Sequence, residues 1–134
     1  MRKYLLDTNI CVYFLQGRYG IAQRIAEIGW ENCCISEITI AELLYGAENS
    51  NNVSNNKQLI EMLCDSIAVL PIRNAFHVYA QEKVRLRQKG TPLEDLDLLI
   101  GATAKANNCV IVTENVRHME RINELAIENW IKRD

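Results

Sequence analysis

Cys109-Val110-Ile111-Val112-Thr113 is the stretch that decides how this chain folds. Its apolar run is short, rich in β-branched residues and free of polar alternation. A strand of that kind is buried on both faces, as in a parallel sheet covered by helices. Working outward, Tyr4-Leu5-Leu6 within residues 3–7 reads as a second strand and Cys33-Cys34-Ile35 as a third. Ala68-Val69-Leu70, stopped by Pro71, is a fourth, and Ala126–Glu128 a short edge strand. Between them, helical periodicity covers about 10–16, 20–29, a helix capped by Ser36 and running to Ala47, 57–67, 74–89 before Gly90, 93–106 and 117–122. Glu48–Asn56, rich in Asn and Ser, reads as a loop between two helices. Strands alternating with helices give an α/β fold in three layers, with a twisted central parallel sheet of four to five short strands. In such folds ligands bind beyond the carboxyl ends of the strands. Asp7 and Thr113 both stand at such ends.

The 134 residues fit one domain, 1–134, and their 49% hydrophobic and 24% charged content is ordinary for a globular chain. A formal net charge of −2 gives no global reason to expect nucleic-acid binding, so any such surface is local. The five cysteines are odd in number, form no C-x-x-C pair and have no histidine cluster near them, which argues against zinc. They read as buried, reduced thiols of a cytoplasmic protein. Asp7 interrupts the N-terminal apolar run too early for a signal peptide. No stretch approaches the ~18 apolar residues of a membrane span, so no membrane partner is expected. A P-loop and a G-x-G-x-x-G are both lacking, and Ser36 has no His/Asp partner pattern.

Three carboxylates stand out against this background. Asp7 ends Tyr4-Leu5-Leu6, Glu42 is the one charge in Ile38–Ala47, and Asp97 precedes Leu98-Leu99-Ile100. A charge in apolar surroundings is expensive unless it is paired or binds a cation. At ~100° per residue, the apolar side chains of Ile38–Ala47 cover most of the helix and leave a strip of Thr39, Glu42 and Gly46. The later helix leaves a strip of Asp97, Gly101 and Lys105. Two buried helices, each with an acid beside a bare glycine, look like the walls of a cleft. Asp7 alone reads equally as a helix cap. The three together predict one site for a hard cation, Mg²⁺ or Mn²⁺, because oxygen ligands without His or Cys suit these ions. Such an ion promotes in-line attack of water on a phosphodiester.

Several neighbours are candidates for supporting roles. Asp95 is a possible fourth ligand or simply an acid in a helix's first turn. Thr8, Asn9, Thr113 and Asn115 are candidates to orient the carboxylates. Arg117, Arg121 and His118 are candidates for substrate phosphates. The basic run Lys83, Arg85, Arg87 and Lys89 reads either as a solvated surface or as phosphate contacts.

Leu5-Leu6-Asp7-Thr8-Asn9, Ile38–Ala47, Gly90–Ala102, Val112–Ile122 and Ile127–Trp130 resemble, in order, spacing and flanking residues, the PIN-domain ribonucleases of the VapC toxin type. The resemblance runs from end to end. It implies a PIN-like fold and an Mg²⁺- or Mn²⁺-dependent endoribonuclease of a toxin–antitoxin pair. It carries the family's acids onto Asp7, Glu42 and Asp97, and its Thr and Asn onto Thr113 and Asn115. Where the family usually has a fourth acid this chain has His118, with Asp95, Glu114 or Glu120 as conceivable substitutes. The resemblance also implies a homodimer, a VapB-type antitoxin whose tail covers the acidic groove, and structured RNA, often transfer RNA, as substrate. Two other readings compete: a degenerate PIN module that binds RNA or protein without cutting, and a phosphatase with Asp7 as nucleophile. The second is weakened by Asn9, which replaces the acid needed to protonate a leaving group.

Overall fold

The computed structural model describes residues 2–133. Five strands, β1 (Tyr4–Leu6), β2 (Cys33–Ser36), β3 (Ala68–Leu70), β4 (Val110–Val112) and β5 (Ile127–Glu128), form one parallel sheet in the order β3-β2-β1-β4-β5. The helices are α1 (Thr8–Leu15), α2 (Ile21–Ile28), α3 (Glu37–Glu48), α4 (Val53–Ser66), α5 (Phe76–Lys89), α6 (Asp95–Ala106) and α7 (Val116–Met119). β1 pairs with β2 on one side and β4 on the other. The connections leaving β1's two flanks therefore diverge, and a crevice opens at the carboxyl ends of β1 and β4, where such folds place ligands.

Although the strands are apolar throughout, their side chains still alternate between the two faces. Leu5, Cys34 and Ile111 pack with Leu86 of α5, Leu98, Ile100 and Ala104 of α6, and Met119 and Ile122. Leu6, Cys33, Ile35 and Val112 pack on the other face with Ile10, Ile21, Ile25, Leu43, Ile60 and Trp130. The expected three layers are thus two cores sharing one sheet. Fully burying each such aliphatic side chain contributes about 1.5–3 kcal/mol.

Several boundaries differ from the sequence reading. α4 begins at Val53, not near Lys57, because the Asn52 side chain accepts a hydrogen bond from the Asn55 N–H and caps it. The loop is accordingly shorter than Glu48–Asn56. α7 ends at Met119, and Glu120–Ile122 continue only as a turn, with Ile122 N–H donating to Met119 O. α3 is not buried all round, since Leu44 is 38% exposed and Tyr45 74%. Ser36 does cap α3, accepting from the Ile38 N–H at 3.1 Å.

The two matched glycines have different surroundings. Gly46 faces open space in a cleft with Glu42, Val12 and Leu15. Gly101 is covered: a Cβ there would lie 2.2 Å from Ile122 Cδ1 and 3.2 Å from Met119 Sδ. The bare patch beside Asp97 is thus filled by the chain itself and serves packing rather than a cleft.

Candidate metal-binding active site

Asp7 follows β1 directly, and its N–H donates to Val112 O at 2.9 Å. That bond locks it beside β4 at the mouth of the crevice. Its side chain is also the N-cap of α1, with Oδ1 accepting from the Thr8 N–H at 2.8 Å. Oδ2 accepts from the Thr113 hydroxyl at 2.8 Å. The cap reading of Asp7 therefore holds, and capping does not exclude a second role for the same carboxylate. Only 4% of the residue is exposed. Burial raises its pKa, and the nearby Asp97 and Glu42 charges push the same way against the two stabilising hydrogen bonds.

Glu42 reaches the group from α3. Its Oε1 accepts from the Thr8 hydroxyl at 2.6 Å, and Thr39 Oγ1 lies 3.1 Å from that same hydroxyl oxygen. Thr8 therefore ties both acids, one through its backbone and one through its side chain. Thr39, fully buried, was visible in the sequence as part of Glu42's strip but carried no assigned role. Asp97 enters from the first turn of α6. Its pKa is raised by burial, with Glu94 adding to the rise and the His118 ring opposing it.

None of the ion pairs among the described residues involves Asp7, Glu42 or Asp97. Three acids without a basic partner, one of them almost wholly buried, form a hard, all-oxygen donor set that suits a divalent cation. Among the described residues no three His, Cys, Asp or Glu side chains yet converge as a finished ligand cage. The three carboxylates fit such an ion in the chemistry of their donors.

The remaining candidates separate cleanly. Thr113 touches Asp7, and its oxygen accepts from the Asn115 N–H at 2.9 Å. Asn9 Oδ1 accepts from the Glu114 N–H at 3.4 Å and so fixes backbone rather than an acid. The Asn115 amide lies 2.6 Å from His118 Nδ1. His118 and Arg121 line a small cavity with Asp97 and Pro92, and Arg121 Nη1 donates to Pro92 O at 3.0 Å. Arg117 is exposed on α7.

Asp95 is turned out of the group: its Oδ1 accepts from Tyr79 at 2.7 Å and Lys83 at 2.8 Å, pinning α6 to α5. Glu114 is held by Arg133 and Tyr13. Glu120 borders a different cavity with Arg85 and Lys89. None of the three stands in for the acid that His118 replaces. Within the basic run, Lys83 is spent on Asp95 and Arg85 on Glu82.

Sequence reasoning missed Glu82, a 4%-exposed acid on α5. It accepts from Arg85 Nε at 2.7 Å and the Asn123 N–H at 2.5 Å, with Lys105 Nζ 4.0 Å away. A lone acid in a polar helix carries no apolar flanks to mark it. Also unforeseen was the group Tyr13, Tyr19, Arg18 and Arg133 around Glu114, whose members lie up to 120 residues apart.

Comparison with known proteins bears on the fold and the family. The family profile of the PIN domain matches residues 4–125. The tRNA(fMet)-specific endonuclease VapC of Shigella flexneri is 33% identical over 131 residues, covering 97% of this chain and 99% of its own. Ribonuclease VapC2 of Haemophilus influenzae (strain ATCC 51907 / DSM 11121 / KW20 / Rd) is 34% identical over 134 residues, covering 98% and 100%. The crystal structure of DNA-bound VapBC from Salmonella typhimurium superposes with a TM-score of 0.89 at 34% identity, covering 97% of this chain and 99% of that one.

Proposed function

We propose, from the premise that this chain belongs to the PIN-domain family and within it to the VapC ribonucleases, that it is a divalent-metal-dependent endoribonuclease acting as the toxin of a toxin–antitoxin pair. The observation that carries the reading is that buried Asp7 feels the charges of Glu42 and Asp97 while none of the ion pairs among the described residues involves any of the three. Asp7, Glu42 and Asp97 would hold Mg²⁺ or Mn²⁺. When bound, that ion supplies Lewis-acid stabilisation of phosphodiester charge and an acidified water. Thr113 and Thr8 keep the carboxylates of Asp7 and Glu42 from rotating away, and burial of Asp7 keeps bulk water from competing. Arg121 and His118, which line a cavity with Asp97, would meet a phosphate bound there.

Transfer RNA is the proposed substrate class, supported by the relative named for it, and a VapB-type antitoxin is the proposed neutralising partner, supported by the VapBC complex. Its place of action would then be the cytoplasm, where that RNA is found. A homodimer is proposed through the exposed Leu44 and Tyr45 of α3. Tyr45→Glu is expected to yield a monomer by sedimentation.

The test is cleavage of mixed transfer RNA by purified protein under Mg²⁺ or Mn²⁺ titration, with RNA ends mapped. Wild type is expected to cut and Asp97→Ala to be inert. His118 in place of a fourth acid favours a second reading, a module that binds RNA without cutting. Binding without cleavage at any metal concentration would select it.

A further inference from the structure

The turn between α1 and α2 is strained. Gly17, Tyr19 and Gly20 have φ of +69°, +58° and +65°, and Tyr19 is the residue for which that region is costly. Strain of this kind persists where surrounding contacts over-determine it, and it gathers at ligand sites. Here the contacts are aromatic and cationic. The Tyr19 ring meets the Tyr13 ring edge-on, centroids 4.8 Å apart at 77°. The Arg18 guanidinium lies 4.9 Å from the Tyr19 centroid and 5.5 Å from that of Tyr13, and the Arg133 guanidinium lies 5.3 Å from Tyr19. Two cations face a single carboxylate, Glu114, which accepts from Tyr13 and Arg133.

This group adjoins the acids. Glu114 directly follows Thr113, the residue bonded to Asp7, and its N–H is held by Asn9, one turn before Tyr13 on α1. Arg18 is exposed, as is 57% of the Arg133 side chain. Planar guanidinium groups seated on aromatic rings offer both a stacking surface to an unpaired base and a cation to its phosphate.

We propose that Tyr13, Tyr19, Arg18 and Arg133 form a nucleotide subsite beside the acidic cluster, gripping an unpaired RNA nucleotide that flanks the scissile phosphate. The inference rests on the ribonuclease reading and adds to it the part of the substrate that is held. The strained turn fixes Tyr19 so that the guanidinium planes are already in place when RNA arrives. Little side-chain freedom is then lost on binding.

The test uses the full chain in two formats. Fluorescence anisotropy with labelled transfer RNA is read in an Asp7→Asn background that leaves the RNA intact, and steady-state cleavage is read in the otherwise native chain. Tyr19→Gly keeps the left-handed backbone and removes the ring, and is expected to weaken binding and raise KM about tenfold with kcat within about twofold. Tyr19→Phe keeps the ring and loses only the hydroxyl that accepts from Arg18 at 3.0 Å, and is expected to weaken binding less than Tyr19→Gly. Arg18→Lys with Arg133→Lys keeps both charges, hence the salt dependence, yet loses the planes and is also expected to weaken binding about tenfold. Melting curves check that each variant is folded. Unchanged RNA affinity in folded Tyr19→Gly, or in the double lysine variant, would overturn the proposal. So would a loss confined to the affinity for a VapB-type antitoxin, which would make the patch a protein contact. If wild type binds RNA without cutting it, the nuclease reading fails while the anisotropy arm still judges the subsite.

Discussion

At Asp7 one carboxylate caps a helix, accepts from a hydroxyl 106 residues later in the chain, and feels the charges of two further acids. Its raised pKa means that the folded chain disfavours its charged form. That penalty is present above the folded pKa and disappears as pH falls through it. Asp7→Asn can still accept from the Thr8 N–H, so metal-free Asp7→Asn is expected to melt above wild type at neutral pH, with the gap closing on acidification. Calorimetry across pH checks this; a gap that widens in acid would contradict it. Cleavage by the same variant is expected to fall at least about a hundredfold, and Mg²⁺ is expected to raise the melting temperature of wild type but not of the variant. Thr113→Val, which removes only the supporting hydroxyl, is expected to lower metal affinity by about 10–100-fold, measured by titration calorimetry. Asp7, Glu42 and Asp97 stand out in the sequence because each breaks an apolar run. Tyr13, Tyr19 and Arg133 do not, because no local pattern joins residues whose contacts are made only by folding.

At the scale of the element, the helices followed from periodicity and the boundaries from side-chain hydrogen bonds that periodicity does not register. Asn52 moved the start of α4, and Asp7 drew α1 back to Thr8. α6 shows the limit of reading a helix in isolation. Its Asp97–Gly101 strip resembles the Glu42–Gly46 strip of α3, yet Ile122 fills one and open space the other. Gly101→Ala forces a methyl into the buried Ile122 side chain and is expected to cost about 1–3 kcal/mol by denaturant unfolding. Adding Ile122→Val removes the colliding Cδ1. The double variant is expected to recover most of the loss, which a double-mutant cycle would register as strong coupling. Additive losses would mean that the collision is not the cause.

Across the whole molecule, the parallel sheet and its three layers were legible because strands buried on both faces leave a distinctive apolar signature. The sheet order was not, since nothing in Tyr4-Leu5-Leu6 says that it lies at the centre. Nor was the Glu82 network that joins α5 to the turn before β5 and to α6. Arg85 and the Asn123 N–H hold the Glu82 carboxyl below its ordinary value despite burial. Its contribution is therefore full above the ordinary glutamate range and is lost as pH falls through the lower folded value, the reverse of Asp7. Glu82→Gln is expected to be destabilised by a few kcal/mol at neutral pH, as when a buried ion pair loses one partner. The deficit relative to wild type is expected to shrink in acid.

The central position of β1 has a consequence for how such an enzyme is made. β1 must wait for β4, which is synthesised about a hundred residues after it, because Asp7 is seated by Val112 and Thr113. During translation the early acids are present without the partner that aligns them. A nuclease built in this order keeps its acids out of alignment until the segment carrying Thr113 has been made, sparing the machinery that produces it in the interval.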